Sequence, residues 1–537
     1  MSDARPPGAF RFAPRTLAPP GSLAAEAFLG GPAAGLFRAV VTPQSDIGLE
    51  LPGGPGRVGS EAFAATSPQA RAKLEVILRG GGQLVTTGQQ PGLFLGPLYT
   101  LYKTVSAIQL ATHLERSTGR PTLAAFWVAA DDHDWEEIGT CQVLALDESA
   151  TTLRLDPPEG RKGRSVGETL LPDSIVDLAE RLGELVGSSP VAGDDRAGFL
   201  EFVKTAYRPG ETVSAAFVST MVQVFANHDL VLVDSSHAAI RQTAAKLYGE
   251  IVQRPADVAN AMASGGERVR QAGYPIQLNP PEAGLQIFFD EGSARRHVLA
   301  TPNGFTIGGS DDWSREEFAA LINDQPSSFT PAAALRPVLE SWLLPVAATV
   351  LGPGELSYWA QLEPLFVTLN VWMPAVRDRG SWFLIESRVE RLLLKMGVDA
   401  TLIETNVEEL RRRVLEAGRP EGVARALSQL DGDIAARFLE LESTGDNELP
   451  GLKSAVGKAR HGVERVLDDL RRVVDQRVSE RESASMEQVR RLVANLAPGG
   501  NSQERTLGAA SFLAKYGPEL VDQLIENSDV AGPQGQD

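Results

Sequence analysis

The spacing of apolar residues over 83–130 predicts the unit around which the rest of the chain is organised. Gln83 to Thr87 is typical of a short buried strand, and the glycine-rich turn after it cannot continue the strand. Pro97 suits the first position of a helix, and apolar residues from Leu98 to Glu115 recur with the period of a helix. Leu123 to Ala130 is apolar at nearly every position, which is typical of a strand buried on both faces. These residues therefore predict a strand–helix–strand unit with parallel strands.

Polar segments follow both strands of this unit. The glycine-rich turn 88–97 follows the first strand, and the acidic run 131–137 (DDHDWEE) follows the second. Because parallel strands deliver their following loops to one edge of a sheet, we expect both segments to line one crevice. Backbone N–H groups at a helix N-terminus suit phosphate, and carboxylates suit an amine, a hydroxyl or a magnesium-bound phosphate. The sequence thus predicts a ligand site between the two segments.

The flanking segments are predicted to add an arm and further core elements. Residues 1–58 contain much Pro and Gly and one helical stretch near 22–37, which indicates an arm packed on the core. A basic loop over 157–164 is either a phosphate-contacting flap or a solvated hairpin tip. A buried strand over 230–233 ends in Asp234 and Ser235, which either contact a ligand at the same edge or cap the next helix. The remaining elements before residue 230 are a strand over 141–155 and helices over 60–79, 175–186, 196–205 and 213–226.

Short apolar runs separated by Pro, Gly and Asn predict an antiparallel subdomain inserted into the α/β chain. The predicted strands cover 274–278, 285–290, 298–301 and 304–307. Helices are expected on either side, over 241–264 and 314–323.

A second strand, glycine-rich turn and helix are predicted between residues 345 and 369. The strand covers 345–351, the turn runs from Gly352 to Glu355, and the helix covers 356–369. A further strand ends near Val376 and is followed by the segment 377–381. We expect its basic residues to lie in a mobile loop that closes on a nucleotide phosphate.

Beyond Glu386 the apolar positions follow the three-and-four spacing of paired helices. One apolar seam runs over 423–441 and a second over 456–473, with a predicted turn at 443–447 and Pro450 between them. We expect an antiparallel helical hairpin that is either purely structural or forms a homodimer through an exposed seam. The tail after Pro498, with a helix over 507–515, is expected to return to the core.

Length, charge and cysteine content narrow the class of protein. A chain of 537 residues exceeds what one core usually holds, so two or three domains are expected. With 51 basic and 69 acidic side chains and a net charge of −18, the sequence argues against general affinity for nucleic acid or membranes. Cys141 is the single cysteine, which excludes a disulfide framework and indicates a reducing compartment. The sequence shows neither a signal-peptide pattern nor a membrane-spanning apolar run, and we expect a cytoplasmic protein.

Known phosphate-binding motifs are absent from the turn 88–97. It lacks the Lys-Ser or Lys-Thr of a Walker loop, and the first strand is not followed by GxGxxG. The turn is therefore a shorter phosphate-compatible turn, or its glycines serve only tight packing. The acidic run places five carboxylates in seven positions, which repel one another unless a cation or ammonium group lies among them or the run is solvated. With six histidines and one cysteine dispersed along the chain, we expect magnesium carried by a nucleotide rather than zinc.

Five sequence blocks resemble the cysteine-ligase family of bacillithiol biosynthesis. From about residue 83 onward, they read in family order TGQQPGLFLGPLYTLYK, FWVAADDHDWEE, LRPVLESWLLPVAATVLGPGELSYWAQL, MPAVRDRGSWFLIE and NSQERTLGAASFLAKYG. The resemblance implies an α/β Rossmann-like parallel-sheet core related to class I aminoacyl-tRNA synthetases, with connecting-peptide insertions and a C-terminal coiled coil that forms a dimer. It also implies ATP-dependent joining of cysteine to glucosaminyl-malate, the last step of bacillithiol synthesis.

This resemblance implies domain boundaries and residue roles. The domains are an N-terminal arm (1–58), a core (59–385) with insertions at about 141–205 and 250–330, a coiled-coil domain (386–497) and a tail (498–537). Residues 92–99 take the place of the synthetases' His-Ile-Gly-His signature but contain no histidine. Gln89, Gln90, Tyr99 or Lys103 must then supply the polar contacts. The segments after Arg336-Pro337 and around Asp378 depart from the family's usual residues.

Our leading hypothesis is that ATP activates the cysteine carboxylate and the glucosamine amine attacks it. The predicted catalytic residues, which hold an ammonium group or act as base, are Asp131, Asp132, His133 and Asp134. The predicted contacts to ATP or ADP are Gly88, Gln89, Gln90, Gly92, Gly96, Tyr99, Lys103, Arg377, Arg379 and Ser381. The predicted substrate contacts are Asp234, Arg336, Glu355, Tyr358 and Trp359. The alternatives are a nucleotidyltransferase or glycosyl-group enzyme using the same crevice, and a non-catalytic nucleotide-binding scaffold.

Overall fold

The computed structural model describes residues 10–42, 56–159, 165–187, 195–279, 281, 283–292, 294–449 and 452–527. Within these residues the chain forms two compact units, and each is described by itself. The core unit comprises residues 10–384 and the tail from Gln503 onward, and the helical unit comprises residues 385–502. Most of the predicted basic loop, at 160–164, and the start of the arm lie outside the described residues.

A six-stranded sheet forms the centre of the core unit. Five neighbouring strands are parallel and the sixth, Phe63–Ala65, pairs antiparallel at the edge. The predicted parallel pairing of the first two strands, Gln83–Gln89 and Thr122–Val128, is confirmed over seven residue pairs. All seven residues of Thr122–Val128 are buried, as their continuous apolar character requires. The strand order is Ala375–Asp378, Val346–Leu351, Gln83–Gln89, Thr122–Val128, Leu230–Asp234 and Phe63–Ala65.

Helices cover both faces of this central sheet, as in a Rossmann-like fold. The longest of them, Tyr99–Thr118, buries the predicted apolar stripe and ends at Gly119, which has a left-handed backbone. The helices of the core unit are Leu23–Phe28, Pro68–Val76, Tyr99–Thr118, Trp135–Ile138, Ile175–Val186, Asp195–Ala206, Val213–Val224, Ala238–Gln253, Pro255–Gln271, Arg315–Asp324, Leu335–Leu343, Pro353–Trp359, Glu363–Thr368, Gln503–Thr506, Ala509–Tyr516 and Glu519–Asn527.

Caps and prolines explain where these helices depart from the predicted ones. The helix predicted over 60–79 starts only at Pro68, because the Ser67 hydroxyl caps it by accepting from the Ala70 N–H at 2.9 Å. The helix predicted over 241–264 is interrupted at Arg254, and Pro255 begins the next helix. Gly352 to Glu355, predicted as a tight turn, instead forms the cap and first turn of the helix Pro353–Trp359.

A five-stranded antiparallel sheet forms the predicted insertion, which we call the inserted sheet. Its strand order is Ser310–Ser314, Gly304–Ile307, Arg295–Thr301, Gly284–Asp290 and Phe329–Pro331. The predicted strand over 274–278 is wrong, because that segment is irregular. The single strand predicted over 141–155 is also wrong. It is a hairpin of Thr140–Leu144 and Ala150–Arg154, turned by Asp147, whose carboxylate accepts from the Ser149 N–H at 2.9 Å.

The helical unit contains the predicted pair of long helices, Glu421–Glu448 and Leu452–Arg481. The first runs straight through the turn predicted at 443–447. Many apolar positions of the two seams are solvent-exposed within one chain, among them Val466 at 65% and Val473 at 57%. The other helices of the unit are Ser387–Met396, Ala400–Thr405, Val407–Gly418 and Ser483–Leu496. Across the described ranges of the whole chain, no helix is both long enough and apolar enough to span a membrane.

Candidate active site

A cleft of about 640 Å³ lies at the carboxyl edge of the central sheet. One wall comes from the loops after the strands Gln83–Gln89 and Thr122–Val128, and the opposite wall comes from the inserted sheet and the segment that joins it to the helix Leu335–Leu343. The predicted sharing of one crevice by the glycine-rich turn and the acidic run is confirmed, because Gly88, Gln90 and Asp132 all line it. The polar side chains of the lining are Gln89, Gln90, Asp131, Asp132, Glu137, Asn279, Gln286, Arg295, His297, Arg336, Glu355 and Tyr358.

The turn after the first strand presents two glutamines to this cleft. Gly88 is required there, because a Cβ at this position would lie 2.7 Å from the Trp127 carbonyl oxygen of the neighbouring strand. Gln89 donates to the Tyr99 hydroxyl at 3.0 Å, and Gln90 donates to the Asp132 carboxylate. Burial raises the pKa of Tyr99 to about 12, so the phenol keeps its proton. The Gln90 Oε1 atom is buried and accepts no hydrogen bond from a described residue, which leaves it available to a donor.

Gly92 and Gly96 lie outside the cleft, contrary to the predicted phosphate contacts. The tail covers this part of the turn: the Leu98 N–H donates to the Leu507 carbonyl, and the Ala509 N–H donates to the Gly96 carbonyl, both at 2.9 Å. A Cβ on Gly92 would lie 2.8 Å from Gly96 Cα. These two glycines therefore serve close packing, and the N-terminus of the helix Tyr99–Thr118 is occupied by protein.

The acidic run divides into residues inside and outside the cleft. Asp131 and Asp132 line it, as predicted, whereas His133 and Asp134 do not. Asp134 instead caps the short helix Trp135–Ile138 by accepting from the Glu137 N–H at 3.1 Å. The His133 imidazole is 22% exposed and its Nε2 lies 3.8 Å from an Asp290 oxygen, so it faces the inserted sheet rather than the packed core.

Asp131 is held by a buried arginine. Arg241 is 4% exposed and forms an ion pair with the Asp131 carboxylate. Its remaining nitrogens donate to the backbone carbonyls of Ser235, Ser327 and Phe329 at 3.0–3.1 Å. Asp131 thus fixes the junction of the two sheets, whereas the Asp132 carboxylate accepts from Gln90 and, at 2.6 Å, from the His133 N–H.

Glu137 is a further carboxylate of the cleft, and the sequence analysis did not assign it a role. Burial, reinforced by the negative charges of Asp134 and Asp132, raises its pKa. A carboxylate with a raised pKa binds a proton more readily near neutral pH, which suits a general base.

Buried ion pairs form the floor of the cleft. The Lys103 ammonium lies 2.6 Å from both the Glu355 carboxylate and the Gly88 carbonyl. Burial lowers the pKa of Lys103, and for Glu355 the attraction of Lys103 and Arg336 outweighs burial and lowers the pKa. Arg336 donates to the Tyr358 hydroxyl at 2.6 Å. Lys103 therefore holds the turn in place. Arg336, Glu355 and Tyr358 line the cleft, and their contact with the substrate stays a prediction.

Two predicted substrate contacts lie away from the cleft. Trp359 is 2% exposed and belongs to the apolar core. Asp234 accepts from the Ser236 N–H at 2.8 Å and from the Ser214 hydroxyl, which organises the loop after its strand. The cap of the following helix is His237, whose Nδ1 accepts from the Ala239 N–H.

Glu340 is buried behind the floor, and the sequence analysis missed it. Its carboxylate is 3.9 Å from Arg336 Nη1, and its residue is 5% exposed. Burial raises the pKa of Glu340 to about 7 although Arg336 opposes the rise.

The inserted sheet supplies cleft residues that the sequence analysis also missed. Arg295 donates to the Thr330 hydroxyl and the Pro331 carbonyl at 2.9 Å, and its guanidinium lies 4.0 Å from the centre of the Phe288 ring. His297 packs on the same ring at 4.2 Å, and burial together with Arg295 lowers its pKa. Arg295 and His297 are two positions apart in a strand and so share a face. The alternation of side chains along a strand could have predicted this shared face, but not that the face lines the cleft.

The predicted mobile phosphate loop at 377–381 is instead fixed. Arg379 is 4% exposed and makes two hydrogen bonds to the Glu504 carboxylate at 2.9 and 2.6 Å. The Ser381 hydroxyl donates to the same carboxylate at 2.7 Å. Arg377 donates to the Val41 carbonyl at 3.0 Å. These side chains anchor the tail and the arm and do not line the cleft.

Comparison with known proteins gives matches along most of the chain. A family model described as "Bacillithiol biosynthesis BshC, N-terminal Rossmann-like domain" matches residues 60–380, and one described as "Bacillithiol biosynthesis BshC, C-terminal coiled-coil domain" matches residues 382–534. The chain is similar to proteins named "Putative cysteine ligase BshC". The relative from Salinibacter ruber is 31% identical over 85% of this chain and 82% of its own length. The relative from Koribacter versatilis is 31% identical over 86% and 84%, and that from Geobacillus kaustophilus is 26% identical over 86% and 85%.

Proposed function

The chain belongs to the BshC family of bacillithiol biosynthesis, and we propose that it is an ATP-dependent cysteine ligase acting on glucosaminyl-malate. The observation that carries this proposal is the division of charge within one cleft. The acceptors of Gln90, Asp132 and Glu137 come from the loops after the two central strands, which we call the acidic wall, and Arg295 and Arg336 come from the inserted sheet and the helix Leu335–Leu343, the cationic wall. The other two carboxylates of the lining, Asp131 and Glu355, are paired with Arg241 and Lys103. Glucosaminyl-malate, the molecule that receives the cysteine, has one amino group and two carboxylates and so fits this division.

The acidic wall suits the amine that attacks. The amino group of a glucosamine must lose a proton before or during attack on the activated carbonyl, because an ammonium ion has no free electron pair. Asp132, oriented by Gln90, and the free Gln90 Oε1 atom accept hydrogen bonds from this group. Glu137, whose pKa is raised by burial, accepts the proton.

The cationic wall suits the malate carboxylates. Arg295 and Arg336 are each fixed by hydrogen bonds, to Thr330 and Tyr358 respectively, so little side-chain entropy is lost when a carboxylate binds. Charge-assisted hydrogen bonds from a guanidinium to a carboxylate are stronger than neutral ones. The lowered pKa of His297, caused by burial and by Arg295, makes the imidazole a neutral donor or acceptor near pH 7.

ATP supplies the leaving group that a free carboxylate lacks. The carboxylate oxygen of cysteine takes a phosphoryl or adenylyl group from ATP, and the amine then displaces that group to form the amide. The described residues contain no group of three or more His, Cys, Asp or Glu side chains placed to hold a metal ion. Magnesium in nucleotide sites usually needs only one or two protein carboxylates besides the phosphates. Asp132 would be the protein carboxylate that contacts it when it arrives with the nucleotide, while Glu137 remains the base.

We also propose that the helical unit forms a homodimer. The long helices expose apolar side chains along one chain, including Leu439 at 60% and Val466 at 65%. Contiguous exposed apolar positions with heptad-like spacing are typical of a surface that packs against another helix. The second copy of this chain has the same seam and is the simplest partner.

The enzyme is proposed to act in the cytoplasm, where ATP and free cysteine are both present. Its single cysteine is compatible with reducing conditions. Cys141 is buried, and burial raises the pKa of its thiol to about 12, so the chain's own thiol does not compete with the cysteine substrate.

The decisive experiment is reconstitution. Purified protein is incubated with ATP, magnesium, cysteine and glucosaminyl-malate, and products are followed by mass spectrometry. We expect the cysteinyl conjugate and an equal amount of AMP or ADP, and neither in a reaction without cysteine. Bound nucleotide that is never turned over, in the presence of all substrates, would contradict the proposal.

A further inference from the structure

A short helix of the tail, Gln503–Thr506, is fastened to the core unit at three points. The Gln503 side chain donates to the Leu384 carbonyl and accepts from the Leu384 N–H, both at 2.8 Å. Glu504 is 1% exposed and accepts two hydrogen bonds from Arg379. The Leu507 carbonyl accepts from the Leu98 N–H at 2.9 Å. Between these anchors, Arg505 is exposed.

The anchors hold the Arg505 backbone close to Tyr99, at the rim of the cleft, because the Tyr99 hydroxyl accepts from the cleft-lining Gln89 at 3.0 Å. Leu507 accepts from the N–H of Leu98, the residue directly before Tyr99. The guanidinium of Arg379, the partner of Glu504, lies 5.5 Å from the centre of the Tyr99 ring. Burial raises the pKa of both Tyr99 and Glu137, and the positive charge of Arg505 opposes both rises. Its charge is therefore close to each group.

The other cations on this side of the cleft are engaged. Lys103 is paired with Glu355, Arg379 with Glu504, and Arg377 with the Val41 carbonyl and Asp378. The guanidinium of Arg505, by contrast, forms no hydrogen bond or ion pair with any residue in the described part of the chain. Its backbone is fixed on both sides while its charge remains available.

The cations that line the cleft, Arg295 and Arg336, come from the inserted sheet and the helix Leu335–Leu343, so a polyphosphate beside Glu137 would meet carboxylates unless Arg505 approaches it. Asp132 and Glu137 are acidic, and the predicted cradle at the N-terminus of the helix Tyr99–Thr118 is already filled by Leu507. A guanidinium offers paired N–H donors that match the geometry of phosphate oxygens.

We propose that Arg505, supplied by the C-terminal tail, binds a phosphate group of ATP at the Tyr99–Glu137 rim of the cleft. This inference rests on the proposed function, because it requires that the cleft bind a nucleotide. It makes the tail part of the active site as well as part of the fold.

The test compares Arg505→Ala and Arg505→Lys with wild type. The matched control is Arg208→Ala, which removes an exposed arginine whose side chain is 64% accessible and pairs with nearby Glu211. ATP affinity with magnesium is measured by calorimetry, the KM for ATP by conjugate formation, and folding by thermal denaturation. Loss of a charge-assisted phosphate contact should weaken ATP binding and raise its KM by about 10- to 100-fold in Arg505→Ala. Arg505→Lys should recover part of this loss, while the KM for cysteine and the melting temperature stay the same.

The outcomes separate the two proposals. If wild type binds ATP and Arg505→Ala binds it equally well, this inference is overturned and the proposed function stands. If Arg208→Ala weakens ATP binding as much as Arg505→Ala does, the effect is one of general charge and the inference is again overturned. If wild type neither binds ATP nor forms conjugate, the proposed function itself fails, and the inference fails with it.

Discussion

The cleft and the coiled coil use charge in opposite ways. Around the cleft, ion pairs such as Asp131 with Arg241 and Lys103 with Glu355 join residues far apart in the sequence and are largely shielded from solvent, the latter at 3% and 20% side-chain exposure. In the helical unit, many pairs lie three or four positions apart on one helix and are exposed, as in Arg490 with Glu487. Buried pairs fix geometry, because breaking one leaves a charge without solvent, whereas exposed pairs contribute little. The charged pairs of the core unit therefore hold the site together, whereas those of the helical unit mainly keep its helices solvated.

The largest effect is expected from Glu504→Ala in the core unit. The change leaves the buried Arg379 guanidinium without its carboxylate partner and releases the tail from Ser381 as well. Removing one member of a buried ion pair typically costs about 3–5 kcal/mol of unfolding free energy. Chemical denaturation followed by circular dichroism measures the loss.

The control for this variant is Glu487→Gln, which breaks an exposed ion pair with Arg490 on the helix Ser483–Leu496 of the helical unit. We expect no measurable change in its denaturation curve. An equal loss in both variants would break the comparison between the two regions.

A second large effect is expected from pH, through Glu340. Its pKa of about 7 in the folded protein exceeds the ordinary value of 4.5, so the folded state holds the proton more tightly than the unfolded state. Wild type should therefore lose stability as pH rises from about 4.5 to 7 and little more above that, by roughly 3 kcal/mol from this group. In Glu340→Gln this component of the pH dependence should vanish. Denaturation of both proteins at a series of pH values measures it, and parallel curves would refute the assignment.

The acidic run offers a sharper test within the cleft itself. Asp132→Asn removes a carboxylate that lines the cleft, and we expect the kcat/KM for conjugate formation to fall about 100-fold. Asp134→Asn changes a residue outside the cleft that caps the helix Trp135–Ile138, where Asn is also a good cap, and removes one of the charges that raise the pKa of Glu137. We therefore expect a clearly smaller loss of activity than in Asp132→Asn. Equal losses in the two variants would show that proximity in sequence, rather than position in the cleft, decides the role.

The smallest effect on the core unit is expected from negative charge placed on the apolar seam 456–473 of the helical unit. The double variant Val466→Glu and Val473→Glu alters side chains that are 65% and 57% exposed in one chain, so unfolding of the core unit should change by no more than about 0.5 kcal/mol. Sedimentation should show wild type as a dimer and the variant as a monomer. A dimer that survives both changes would place the interface elsewhere.

Local patterns sufficed for the parallel strands of the central sheet and for part of the site, but not for the edge strand Phe63–Ala65, which lies within the helix predicted over 60–79. The continuous apolar character of 123–130 and the turn at Gly88 depend on neighbouring residues only, and they correctly brought Gln90 and Asp132 to one edge. Caps and hairpin turns inside apolar runs, as at Ser67 and Asp147, were harder, because one side-chain hydrogen bond decides them.

The remaining errors concern contacts between distant segments. Nothing near Gly96 in the sequence indicates that the tail will occupy the helix N-terminus beside it. Arg379 resembles a phosphate ligand until Glu504 is placed against it. Arg295 and His297 could be recognised as cleft residues only once the inserted sheet was known to face the carboxyl edge.

The most direct measurement is a crystal structure of the protein with its ligation product bound. We expect the former amine of the glucosamine to lie beside Gln90 and Asp132, and the malate carboxylates to lie beside Arg295 and Arg336. Product bound elsewhere, for example in the shallow groove lined by Arg254 and Arg268, with the cleft empty, would contradict it.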